Sequence, residues 1–421
     1  MKGTLKEEIM NLQSVIDKKD KAAQYMIDEI THIIKTFGKR DPGAEGEKQA
    51  CDYMAQVLKD ECGCERVVID SFKVNPGSFY GWMWITFSFA FLAVACLFFA
   101  PIVSLILIVL GVALAILQFG LYYKVVDWMF PEKTSHNVTA IKSCKGEVKR
   151  RIFFNGHPDA AWEFPINYHF GGIVFEFVNI ASALGALYYA ILAIITIQRH
   201  GVIANVMNDP ELLKATLWGL IFAPFWILMM CIRDLRIVVD GANDNLSGCY
   251  MGIAILKEMK EQGIELENTE VGVILSGSEE AGLRGAYAWA EKYKDEFSDV
   301  PTFIYAYDTI HDPKHLMVNY RDLNATVKSD KELSDLFLNS AKELGLPVRK
   351  GMVPPLGGST DNAAFCQAGF RSAGITGLDH KLEDYYHTRR DTYDNMNAEG
   401  LGNCYATSVK VLEKINNGEC D

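Results

Sequence analysis

One stretch limits what this chain can fold into more than any other. From Val74 to Tyr123 there is no charged side chain, in a sequence of which 22% is Asp, Glu, Lys or Arg. About 20 apolar residues span the hydrocarbon core of a bilayer, so this run is long enough for two crossings. Ala100-Pro101 near its middle is a natural hairpin point, since proline breaks a helix. A third run, Phe177 to Gln198, is uncharged behind Glu176, and a fourth, Ala215 to Ile232, lies between Lys214 and Arg233. The competing reading, core helices of a large water-soluble protein, fits the second pair better than the first. Trp82, Trp84, Tyr122, Tyr123, Trp128 and Trp218 stand near the ends of the runs, where amphipathic rings favour the membrane interface. The expectation is two transmembrane hairpins, four helices in all, embedded in a lipid bilayer as a multi-pass integral membrane protein.

Each hairpin returns the chain to the side it left. Residues 1–78, 125–170 and 233–421 then share one face and form one domain, interrupted by hairpins at 79–124 and 171–232. Lys73, Lys124, Lys133, Arg233 and Arg236 flank the spans on that face. The opposite loops offer Arg199 and Lys214, offset by Asp209 and Glu211. The positive-inside bias therefore puts the polar segments in the cytoplasm. Ten scattered cysteines read as reduced thiols, because the first ten residues, MKGTLKEEIM, are too polar for a secretory leader. Cys62-Gly-Cys64 is too tightly spaced for a usual zinc pair. Asn137-Val-Thr139 and Asn324-Ala-Thr326 fit the glycosylation pattern, which matters only in a lumen. A net charge of −12 without a basic patch argues against nucleic acid as a partner.

The polar segments alternate between two periods. Glu7 to Phe37 is a long helical pattern with Ile9, Leu12, Ile16, Met26, Ile30 and Ile33 on its apolar side, and Gly46 to Glu61 is a second. Val67-Val68-Ile69, Arg151 to Asn155, Glu270 to Ser276 and Thr302 to Tyr307 read as strands. Helices at Ser247–Gln262, Gly285–Lys294 and Lys331–Leu344 alternate with them, which indicates an α/β domain, a mixed β-sheet flanked by helices.

Five short segments share one design, a metal-type side chain directly after a strand or in a Gly-rich turn. They are Asn155-Gly-His157-Pro-Asp159, Gly241-Ala-Asn-Asp244-Asn-Leu-Ser-Gly248, Ser276-Gly-Ser-Glu279-Glu280-Ala-Gly282, Tyr305-Ala-Tyr-Asp308 and Tyr385-Tyr386-His387-Thr388. Strand C-termini are where sites gather in α/β sheets. Two histidines with several carboxylates suit zinc in a catalytic site. One such residue alone is more often a satisfied polar group; five at strand ends are a constellation.

As a set these segments resemble the dinuclear zinc exopeptidases of the aminopeptidase Y, aminopeptidase S and glutamate carboxypeptidase type (clan MH), which include glutaminyl cyclase relatives. Lys39-Arg-Asp-Pro-Gly-Ala-Glu-Gly46 is similar to that family's opening segment, and His387-Thr-Arg-Arg-Asp391-Thr to its closing one. The resemblance implies two Zn2+ ions, one held by His157, Asp244 and Asp308 and the other by Asp244, Glu280 and His387, with Asp244 bridging. It implies that Glu279 is the general base for water activated by the zinc pair, that Asp159 orients His157, and that Tyr386 donates a hydrogen bond to the tetrahedral oxyanion. It departs from the family at Ser359-Thr-Asp361-Asn362, where relatives read Ser-Asp-His, which bears on substrate preference. The inserted hairpins are foreign to the family pattern and tether the catalytic face to the bilayer, which points to hydrophobic or membrane-released peptide substrates.

The leading expectation is a membrane zinc aminopeptidase. A carboxypeptidase or glutaminyl cyclase is the rival within the family, and a non-catalytic membrane scaffold the rival of another class. Ser247 reads as a helix N-cap, and Arg389 and Arg390 as solvated or structural cations rather than a carboxylate clamp.

Overall fold

A computed structural model describes residues 11–379 and 384–420. Eight strands form one mixed sheet: Arg66–Val74 (β1), Lys133–Lys142 (β2), Arg150–Gly156 (β3), Thr269–Ser276 (β4), Thr302–Asp308 (β5), Met317–Asn319 (β6), Arg349–Gly351 (β7) and Arg371–Thr376 (β8). Their spatial order is β1-β2-β4-β3-β5-β8-β6-β7. The four central strands β4, β3, β5 and β8 run parallel, and β1 and β2 extend the sheet antiparallel on one side.

Side chains of the central strands alternate between two buried faces. Ile152, Phe154, Phe303, Tyr305 and Tyr307 pack with the helices Lys19–Phe37, Glu45–Asp60, Ser247–Glu261, Lys331–Glu343 and Ala398–Asn416. Phe153, Ile274, Ile304 and Ala306 belong to the other face, with Arg284–Tyr293 and Asp361–Gln367. Burial on both faces explains why these strands read as near-continuous apolar runs.

That second core continues into four apolar helices: Ser78–Leu97 (α1), Pro101–Gly120 (α2), Gly172–His200 (α3) and Pro210–Met230 (α4). Each is long and apolar enough to cross a membrane by length and composition. Pro101 is the first residue of α2, which puts the expected turn where its missing N–H costs nothing. α3 starts ahead of Phe177 and takes Glu176 inside the helix. α4 starts ahead of Ala215 and tightens into a 3-10 stretch at Gly219–Phe222, just before Pro224 removes a backbone donor. Trp226 Nε1 donates to the Ser182 carbonyl (3.0 Å) and Tyr189 Oη to that of Thr216 (2.9 Å), so polar atoms between α3 and α4 are satisfied inside the bundle.

Two expectations are corrected. The first helix is not continuous: Gln13–Ile16 ends before Lys19–Phe37 begins, because Asp17-Lys-Lys-Asp20 offers nothing to bury. Glu7 to Met10, Ile9 included, lie outside the described residues. β2, β6, β7 and β8 have no counterpart among the expected strands; in β2 the buried Ser135, Asn137 and Thr139 interrupt the apolar run that Val138, Ala140 and Ile141 would otherwise make. All ten cysteines are free, so the described residues contain no disulfide.

Candidate metal centre

β4, β3 and β5 are adjacent and parallel, so their carboxyl ends open along one edge of the sheet. β3 runs straight into His157, β5 ends on Asp308, and a tight turn after β4 carries Glu279 and Glu280. Asp244 lies just ahead of the helix Ser247–Glu261, and its peptide bond to Asn245 is cis. His387 comes from the loop between β8 and the last helix.

These segments meet. His157, Asp244 and Asp308 each bring a ligand atom within 4.8 Å of the others, and so do Asp244, Glu280 and His387. Asp244 Oδ1 is 3.4 Å from His157 Nε2 and its Oδ2 is 3.2 Å from His387 Nε2, so the two carboxylate oxygens face the two groups separately. His387 Nε2 is also 3.2 Å from Glu280 Oε1. Glu279 Oε2 stands 3.7 Å from His157 Nε2, inside the cluster, although Glu279 belongs to neither triad.

A fixed frame holds these groups. The Asp159 carboxylate accepts the backbone N–H of Glu279 and of Glu280, both at 3.0 Å, and its Oδ1 lies 3.5 Å from His157 Nδ1. Asp391 does the same for the other segment, accepting the N–H of Asn243 (2.8 Å) and Asp244 (3.0 Å). Buried Glu47 accepts the N–H of Ser278 at 2.7 Å and the Ser135 hydroxyl at 2.9 Å. Arg40 donates to the carbonyls of Pro158 (2.9 Å) and Asp240 (2.6 Å), tying the His157 segment to the Asp244 segment. Arg40, Glu47 and Asp391 thus brace the loops that carry the ligand set.

The cluster favours positive charge at its centre. Burial and neighbouring carboxylates push Glu280 up and Glu279 and Asp308 well above the ordinary range, while His157 draws the last two back down. Burial acts on Asp244 in the same sense, yet hydrogen bonds from His157 and His387 outweigh it and hold that carboxyl low. His387 is pushed up to about 10, its burial overcome by the charges of Glu280 and Asp244. His157 Nε2 and Glu280 Oε1 are buried without a hydrogen-bond partner. Buried polar atoms are rarely left so, and a cation in each triad would satisfy them. Imidazole and carboxylate together are the donor set that suits zinc.

Other candidate residues take definite places. Tyr386 stacks on the His387 ring at 4.0 Å, and burial, then the charge of Asp244, pushes its phenol well above the ordinary range. Tyr385 turns instead to Asn243, whose Nδ2 donates to its Oη at 3.3 Å. Ser247 is not an N-cap: it is the first residue of the helix, behind Leu246, and its hydroxyl donates to the Asn243 carbonyl four residues back (2.7 Å). Arg389 is engaged by Glu163 through Nε (2.7 Å) and Nη2 (2.6 Å), and Arg390 donates to the Tyr168 carbonyl (3.0 Å). At the departing segment Asp361 accepts the Ser276 hydroxyl, while Asn362 donates to Asp322 Oδ2 (2.9 Å) and Ser329 Oγ (3.0 Å). Asn137 is buried, donates to the Gly285 carbonyl (2.9 Å) and accepts from Gly277 (3.0 Å), so this glycosylation triplet is closed to modification in the folded chain.

The exit of α2 grips the loop after β4. Arg284 donates to the Tyr122 carbonyl (3.0 Å) and pairs with Asp127 (3.3 Å), which also accepts from Gln118 (2.9 Å).

This architecture, an eight-stranded mixed sheet with helices on both faces, is an α/β fold like that of zinc aminopeptidases of known structure. Residues 224–412 match Peptidase family M28. The chain is similar to a zinc aminopeptidase from Bacillus subtilis, with TM-score 0.54 and 14% identity over 92% of this chain and 94% of that one. It is similar to an aminopeptidase from Aneurinibacillus sp. strain AM-1, with TM-score 0.54 and 14% identity over 96% and 95%. A glutaminyl cyclase from an Acidobacteriales bacterium aligns over 99% of both chains, with TM-score 0.53 and 15% identity. At these identities the likeness is one of fold. No curated protein sequence matches the chain.

Proposed function

We propose that this chain is a multi-pass membrane zinc exopeptidase of the M28 kind, an aminopeptidase that removes residues from free N-termini, with its peptidase domain on the cytoplasmic side. The observation that carries the reading is the pair of ligand triads sharing Asp244. His157, Asp244 and Asp308 would hold one zinc, and Asp244, Glu280 and His387 the other. When bound, such a pair supplies Lewis-acid polarisation and lowers the pKa of water.

The residues around it do the rest. Glu279 stands inside the cluster and is not needed by either triad, so its carboxylate takes the proton of the attacking water and returns it to the leaving amine. Asp159 keeps Glu279 in place through its backbone N–H and holds the His157 ring. Tyr386 donates its phenol proton as a hydrogen bond to the developing oxyanion. Surplus carboxylates favour a substrate ammonium, and Arg389 is already committed to Glu163, which supports an aminopeptidase over a carboxypeptidase. A glutaminyl cyclase uses the same fold, and the end-to-end alignment with one keeps that reading as the alternative.

The test is hydrolysis of a hydrophobic tripeptide by purified protein, with free and acetylated N-termini compared and Glu279→Gln alongside. Cleavage of the free form alone, lost in the variant, is expected. Cyclisation of an N-terminal glutamine without any hydrolysis would transfer the assignment to the cyclase chemistry.

A further inference from the structure

The ends of all four apolar helices converge on the metal centre. Phe79 and Tyr80 lie in the first turn of α1. Gly282, just past Glu280, has φ +96°, and a Cβ there would stand 2.8 Å from the Phe79 ring. Phe79 packs edge-on against Tyr122, beyond the end of α2, with centroids 4.8 Å apart. Tyr80 packs edge-on against Phe164 at 5.6 Å, and the Phe164 ring is 4.5 Å from that of His387. Phe164 also stacks at 5.3 Å on Phe175, in the first turns of α3. Arg233, just beyond α4, lies over Tyr80 at 5.1 Å and Trp162 at 4.8 Å.

A second observation concerns the surface beside these ends. Trp128 after α2 is 80% exposed, Phe170 before α3 is 68% exposed and Leu235 after α4 is 61% exposed. Large apolar side chains exposed beside span ends mark a contact surface, and rings at span ends settle at the level of lipid headgroups. The metal centre therefore sits at the mouth of the helix bundle, with its aromatic wall at the depth of the membrane interface.

We infer that this site acts on peptides held in the bilayer by an apolar segment C-terminal to the trimmed end, whose first residues reach the metal centre across Tyr80, Phe164 and Tyr122. The inference rests on the peptidase reading above. A substrate confined to the same interface meets the site at a raised effective concentration, so anchoring lowers KM rather than raising kcat. Tyr80 from α1 and Tyr122 from the α2 exit pack into the wall beside the metal centre, which makes the hairpin part of that wall and not only its tether.

The experiment uses the full chain in lipid nanodiscs and two peptides with one N-terminal sequence, one ending in an apolar 20-residue segment and one in a soluble tail. The anchored peptide is expected to show kcat/KM at least roughly tenfold higher, carried by KM. Tyr80→Ala is expected to shrink that ratio, whereas Tyr80→Phe, which keeps the ring, retains it. Equal kcat/KM for the two peptides, or a faster soluble one, would overturn the inference and leave the peptidase reading standing. Hydrolysis of neither peptide, with wild type no faster than Glu279→Gln, would overturn the peptidase reading and this inference with it.

Discussion

At the carboxyl edge of the sheet, charged side chains are buried and answered by other side chains and by named backbone amides. In α1 to α4 the buried hydroxyls of Ser182, Thr196 and Thr216 return to carbonyls four residues back, a few side chains such as Trp226 and Tyr189 donate to carbonyls of a neighbouring helix, and most of the packing is apolar. The first region is specified atom by atom, because a buried carboxylate without its partners is expensive. The second is specified by length, composition and the placement of small residues, so many sequences would serve. The same chain therefore contains a part in which one oxygen atom decides the outcome and a part in which most single side chains do not.

Substitutions can sharpen or break that contrast. The largest effect belongs to Glu279→Gln, which removes the proton acceptor while preserving shape. It is expected to lower kcat on a tripeptide by about 10³-fold or more, with zinc content unchanged. An active variant would move the base elsewhere.

Next comes pH in the presence of a chelator. Burial raises Glu47 to about 8 and Asp391 to about 7, and the neighbouring charges of Asp159 and Asp244 add to this. Both groups bind a proton more tightly folded than unfolded. Their contribution is therefore complete below the ordinary carboxyl range and is lost as pH rises toward 7 and 8. Urea unfolding of the metal-free chain should show lower stability at pH 8 than at pH 5, by a few kcal/mol, on the order given by one pK unit per 1.4 kcal/mol. Equal midpoints would mean that the frame carboxylates are compensated in some other way.

Smaller again are Asp159→Asn and Asp391→Asn, each of which weakens acceptors for two backbone N–H groups. A loss of roughly 10–100-fold in zinc affinity is expected for each, read by competition with a chromogenic chelator. At the bottom of the scale, Leu184→Val on the exposed side of α3 should change neither turnover nor unfolding by more than about 0.5 kcal/mol. A large effect there would show that the apolar helices are as finely specified as the site.

The same contrast governs what could be read from the sequence. His157, Asp244, Glu280 and Asp308 stood out because each follows a strand or sits in a Gly-rich turn, whereas His387 lies well beyond β8, and the five were joined as one ligand set by the family resemblance of their segments. The four apolar helices were legible because composition alone marks them, although their ends were not, since Glu176 and Lys214 lie within helices. β2 was invisible for the reason that makes it useful. Half of its buried residues are polar, Ser135 bonding Glu47, Asn137 bracing the turn after β4, and Thr139 accepting from Trp289 at 2.8 Å. Glu47 left a trace, a carboxylate on the same face as Ala50, Cys51 and Met54 of an amphipathic helix. Asp391 left only its place in the closing motif, since nothing local says that its partners lie at Asn243 and Asp244.

In the proposed enzyme Asp244 serves two metal positions at once. Elemental analysis of purified wild type and Asp244→Ala tests it most directly. Two zinc ions per chain in the wild type and none retained in the variant are predicted. Two ions in the variant, or a single ion in the wild type, would contradict the shared carboxylate.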